Sequence, residues 1–208
     1  MQDKLITMLR LQDAMNTKVH PEWTQQGFEY YRAVWVECAE LLDHHGWKWW
    51  KKQNPDIEQI KLELIDIWHF GMSMLLNEHG MSEELAVTIG NDLENPESSG
   101  TFLEAVEALA GATLTTKTFP TRLFAGCLKA ANMSTDSLYR GYIGKNVLNF
   151  FRQDHGYKDG RYVKQWDGRE DNEHLVDILT TLDSESPSFK DDLYTGLKTR
   201  YSEVTGLS

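Results

Sequence analysis

Apolar side chains recur at intervals of three and four along most of this chain, and no stretch alternates apolar and polar positions as a half-buried strand would. Leu5, Met8, Leu9, Met15 and Val19 mark a first helix, which the His20-Pro21 pair should stop. A second is expected from about Glu29 to His44, with Val34, Trp35, Cys38, Leu41 and Leu42 as its buried stripe and Gly46 closing it. Asn54, Pro55 and Asp56 precede a third, in which Ile60, Leu64, Ile65, Ile67, Trp68, Met72 and Leu75 leave hardly any polar face, so this helix should be central. Further helices are expected over 82–92, 102–114, 120–132 and 137–153, then from about Asp171 and from about Ser188, with a Gly-, Tyr- and Lys-rich loop after His155. The expected fold class is all-α, a helical bundle. At 208 residues, 40% of them hydrophobic, the chain should form a single domain over 1–208. The clearest break is Asn95, Pro96, Ser98, Ser99 and Gly100, which puts a hinge near 95–100 if a second, mobile helical lobe is present.

The informative positions are the polar ones inside these apolar helices. Glu37 and Glu40 on the second, and Glu63 and Asp66 on the third, are pairs spaced three apart, so each pair shares a helix face. Facing helices would gather four acidic groups, and carboxylates in a water-poor site need a cation between them; oxygen ligands favour Mg2+ or Mn2+. One Glu-x-x-Glu pair is ordinarily an exposed pair bound to nearby lysines. The second pair sits among Leu62, Leu64, Ile65, Ile67 and Trp68, which favours the metal reading. A di-iron centre would want Glu-x-x-His on two helices, and only Asp66-x-x-His69 approximates it. His69 is read as a core or substrate-side histidine rather than a metal ligand.

Gln12 and Asn16 fall on the apolar stripe of the first helix, where carboxamides could read the acceptor-donor-acceptor edge of uracil or could simply be bonded within the core. Asp13 lies off that stripe and should be solvated. In Trp47-Lys48-Trp49-Trp50-Lys51-Lys52, tryptophans could stack on a base and lysines meet phosphate, or the cluster could be core or dimer interface. Lys145, Asn146, Asn149, Arg152 and Gln153 share a late helix that leads into Tyr157, Lys158, Arg161, Tyr162 and Lys164, a donor-rich run suited to a polyphosphate. The net charge of −11 argues against a nucleic-acid polymer as partner. Cys38 and Cys127 are expected to be reduced core thiols, and with no membrane-length apolar run the protein is expected to be cytoplasmic.

Taken in order, Leu11-Gln12-Asp13, Glu37-Cys38-Ala39-Glu40-Leu41, Trp47-Lys48-Trp49-Trp50-Lys51, Glu63-Leu64-Ile65-Asp66-Ile67-Trp68-His69-Phe70 and Gly144 to Asn149 with Arg152, Tyr157, Gly160 and Lys164 resemble the dimeric all-α dUTP diphosphatases, within the all-α nucleoside triphosphate pyrophosphatases. Residues 82–135 carry no matching motif. The resemblance implies Mg2+-dependent hydrolysis of dUTP and dUDP to dUMP by a homodimer. Glu37, Glu40, Glu63 and Asp66 would be catalytic and would hold two or more Mg2+ ions, with Mn2+ as substitute. One glutamate, Glu37 by choice, would act as general base. Gln12, Asn16, Trp50 and His69 would form the base side of the substrate site, and Lys145, Asn149, Arg152, Tyr157 and Lys164 would bind sugar and phosphate. Alternatives are the same fold acting on dCTP or a modified triphosphate, and a non-catalytic helical dimer that binds nucleotide.

Overall fold

Asp56 starts the longest helix among the described residues, its carboxylate accepting from the Gln59 N–H at 3.2 Å, and the 23 residues of α3 (Ile57–His79) follow. The computed structural model describes residues 1–97, 100–183, 186 and 188–206, so Ser98 and Ser99 of the expected break lie outside it. Nearly the whole of α3 is buried, from Ile60 to Leu76, because α1 (Gln2–Val19), α2 (Tyr30–His45) and α6 (Thr121–Ala130) pack around it. α1 ends at His20, whose extended backbone turns the chain into Pro21, and α2 ends at Gly46 with φ +89°, a conformation that costs glycine little.

Val34, Cys38 and Leu41 form the buried stripe of α2, whereas Trp35 is exposed and Leu42 only half-buried, which corrects the expected stripe. At about 100° per residue, Trp35 and Leu42 sit roughly a quarter-turn off the line through the other three. α4 (Glu83–Glu94) is capped by Ser82, and α5 (Phe102–Thr116) opens with a reciprocal Thr101–Glu104 capping box. Trp68 stacks on Phe124 with ring centres 5.1 Å apart, and Phe119 closes over Gly71, where a β-carbon would come within 2.5 Å of its ring. Glycine is what lets that ring lie against α3.

The chain divides into two compact units, Met1–Tyr139 and Arg140–Ser208, with the boundary inside α7 (Thr135–Asp154). The 95–100 break falls within the first unit. The second contains most of α7 with α8 (Asp171–Thr181) and α9 (Phe189–Thr205), around a core of Phe151, Trp166, Leu175, Ile178, Leu193, Leu197 and Tyr201. Where no strand was expected, Gln165–Trp166 (β1) pairs antiparallel with Arg169–Glu170 (β2). Asp167 and Gly168 between them both have positive φ, 51° and 77°, the backbone of a tight two-residue hairpin turn. Two residues per strand are too few for alternation to show in the sequence. The all-α architecture stands, and no described helix is long and apolar enough to cross a membrane.

Candidate active site

Packing of α2 against α3 brings Glu37, Glu63 and Asp66 together, each with a carboxylate oxygen within 4.8 Å of those of the other two. Glu63 is buried and the other two partly so. Glu40, one turn along α2 from Glu37, is exposed and lies outside this trio, although its charge is felt at Glu37. Burial first, then the Asp66 charge, a hydrogen bond with Glu63 and the charges of Glu63 and Glu40 push the Glu37 carboxyl up to about 9. His44 adds a contact that its sequence position alone did not assign, Nε2 lying 3.5 Å from Glu63 Oε1.

Carboxylates this close repel one another strongly unless a proton or a cation lies among them. Their oxygens are the donors that a hard divalent cation prefers, so the trio fits such an ion. A proton drawn to Glu37 by burial and its crowded acidic neighbours must leave when the site takes a cation. Binding of Mn2+ at pH 7 is therefore expected to liberate about one proton. Calorimetry in two buffers of different ionisation enthalpy measures this, and equal heats in both would contradict it. The linkage to stability has a definite sign. Because the Glu37 carboxyl sits above its unfolded value, its contribution is complete at acid pH and is lost as the pH rises from the ordinary glutamate range towards about 9.

Further along the same polar arc of α3, four polar side chains form a buried knot with α1. Gln12 Nε2 donates to Asn16 Oδ1 and to Ser73 Oγ, both at 3.0 Å, and Asn16 Nδ2 donates to Ser73 Oγ at 3.0 Å. The Ser73 hydroxyl donates to the His69 carbonyl at 3.0 Å, with Asn16 Oδ1 a more distant 3.4 Å away, and His69 Nδ1 meets Gln12 Oε1 at 2.8 Å. The last contact requires the hydrogen on Nδ1. Gln12, Asn16 and His69 thus come together through Ser73. Asp13 is exposed yet accepts from Trp23 Nε1 at 3.0 Å. Trp50 lies in a surface trio, its ring 5.3 Å edge-on from both Trp47 and Trp49, and Trp49 is 90% exposed.

In the second unit, Lys145, Asn149, Arg152 and Tyr157 gather about one guanidinium. Arg152 makes two 2.8 Å bonds to the carboxylate of Asp171, reaches Asn149 Oδ1 at 3.3 Å and Asn172 Oδ1 at 3.4 Å, and lies 5.8 Å from the Tyr157 ring centre. Lys145 Nζ donates to the same Asn172 oxygen at 2.9 Å. Lys164 pairs its ammonium with Glu170 at 3.1 Å, and its carbonyl accepts from the Asp171 N–H at 3.0 Å. Sequence reading did not single out Asp171, Asn172, or the tie of Ser73 to the amides. Aspartate and asparagine at a helix start are ordinary first-turn residues, and nothing local reveals their partners.

Comparison with known families matches residues 4–157 to the dUTPase family, a span that holds all four acidic positions, both carboxamides and the late residues as far as Tyr157. Comparison with curated proteins finds no match. Enzymes of this kind generally depend on divalent metal, in accord with the carboxylate trio. Since the match runs over more than half of the 208 residues and the fold is all-helical as that family's is, the chain belongs to the all-α dUTPase family and is an enzyme that hydrolyses dUTP.

Proposed function

We propose that the enzyme converts dUTP, and also dUDP, to dUMP with Mg2+, releasing pyrophosphate from dUTP. The observation that carries this reading is the convergence of Glu37, Glu63 and Asp66 from two packed helices. These three, with Glu40 beside them, would hold two or more Mg2+ ions, and Mn2+ can replace them. Bound there, the metal would offset phosphate charge and make a water molecule more acidic. Glu37, left ionised once the cation is bound, would take the proton from the attacking water.

Asn16 and Gln12 face the uracil edge, with His69 behind Gln12, and Trp50 packs near the base. Lys145, Asn149, Arg152, Tyr157 and Lys164 bind sugar and phosphates; the clustering of Lys145, Asn149 and Tyr157 about Arg152 supports a shared role. The enzyme works as a homodimer in the cytoplasm. Exposed Trp35, Trp47, Trp49 and Trp50 supply apolar surface for pairing, and the buried free thiols Cys38 and Cys127 suit a reducing compartment. Turnover of dUTP, dCTP, dTTP and UTP with Mg2+ tests the substrate. We expect dUTP to lead dCTP by at least about a hundredfold in kcat/KM. If dCTP or UTP led instead, the assignment of the base site would be lost while the metal site stood.

A further inference from the structure

The buried knot between α1 and α3 is built so that one hydroxyl fixes the orientation of two amides. Ser73 is fully buried, and a serine hydroxyl offers one hydrogen and two lone pairs. The hydrogen goes to the His69 carbonyl, and the lone pairs accept from Gln12 Nε2 and Asn16 Nδ2. Gln12 gives its other amide hydrogen to Asn16 Oδ1, and its oxygen accepts from His69 Nδ1. Turning the Asn16 amide over would set its NH2 against the Gln12 NH2, and its oxygen against a hydroxyl oxygen whose hydrogen is held elsewhere. Both new contacts repel. Asn16 is therefore held with nitrogen towards Ser73, and the second hydrogen on that nitrogen is taken by no member of the knot.

We propose that Ser73 is the positioning residue for base choice, resting on the reading above that Asn16 and Gln12 face the base. By holding the Asn16 amide with its N–H outward from the knot, Ser73 presents a donor to the carbonyl that distinguishes uracil from cytosine. Cytosine carries an amino group at that position, and two N–H groups would then oppose each other. Ser73 does this without touching substrate, so its effect should appear in base selectivity and KM and leave the metal site alone.

The test is steady-state hydrolysis of dUTP and dCTP by the full chain with Mg2+, for wild type, Ser73→Ala, Ser73→Cys and Ser73→Thr. Alanine removes the hydroxyl; cysteine keeps the volume but bonds weakly; threonine keeps the hydroxyl. We expect Ser73→Ala and Ser73→Cys to raise KM for dUTP by about tenfold, with kcat within about threefold, and to lower the dUTP:dCTP ratio of kcat/KM by about tenfold or more. Ser73→Thr should keep that ratio within about threefold, and Mn2+ affinity by calorimetry should be unchanged throughout. A ratio that holds steady in both the alanine and cysteine variants, or that falls as far in threonine, overturns the proposal. Should alanine impair folding by circular dichroism, the cysteine variant decides. A wild-type enzyme without preference for dUTP over dCTP would defeat the underlying reading of the amides, whereas a selective wild type with equally selective variants defeats the role of Ser73 alone.

Discussion

Glu63→Gln is expected to lower dUTP turnover by at least about a thousandfold while leaving the helical fold intact. The side chain is buried at the centre of the acidic trio, hydrogen-bonded with Glu37 and in contact with His44. Glutamine keeps the volume and one oxygen but removes the charge, so a cation would lose one of three anionic donors in a site with little water to replace it. The fold gains if anything, because the repulsion that pushes up Glu37 falls when its neighbour is neutral. Loss of activity should thus come with weaker Mn2+ binding by calorimetry, unchanged circular dichroism, and metal-free thermal stability equal to or above wild type at pH 8. Full activity in the variant, or collapse of the fold, would show that the trio is not a metal site held under electrostatic strain.

Asp171→Asn is expected to destabilise the second unit by about 3–5 kcal/mol. Asp171 has no exposed surface; its carboxylate takes two bonds from Arg152 and one from Tyr162, all at 2.8 Å. Removing the carboxylate charge takes from the buried guanidinium the anion that accepts two of its bonds. Adding Arg152→Met should restore part of the loss, because the cost lies in keeping a cation buried once its bidentate carboxylate is gone and not in the missing bonds. Urea unfolding measures both, and a loss in the double variant equal to the sum of the two single losses would contradict the pairing. The pair also carries a pH signature. Burial alone would raise the Asp171 carboxyl, but the Arg152 and Tyr162 bonds and the Lys145 charge bring it below the ordinary aspartate range. Its stabilisation is consequently present above that range and is lost as the pH falls through the depressed value. Acid unfolding of wild type should therefore steepen below about pH 4, and Asp171→Asn should lack that steepening.

Sequence periodicity located every α-helix among the described residues to within a few positions, because each buries a stripe that recurs with the helical turn. It also picked out Glu37, Glu63 and Asp66, since a carboxylate on a helix as apolar as α3 needs a special neighbour wherever that helix is packed. Gln12 and Asn16 stood out for the same reason. Periodicity could not tell Trp35 from Val34, a difference of about 100° around one helix that depends on the direction from which α3 approaches.

Nor could it separate Glu40 from Glu37, which share a face but differ in reach into the α2–α3 interface. The Ser73 hydroxyl, the His44 contact with Glu63 and the Asp171 clamp on Arg152 join residues 57 and 61, 19, and 19 positions apart respectively, and only packing sets such distances. Local pattern, then, determined which residues were out of place among apolar neighbours and hence which were candidates for chemistry. Tertiary structure decided which of them meet, because a hydrogen bond or a shared cation depends on ångström-scale separations that one-dimensional spacing does not specify.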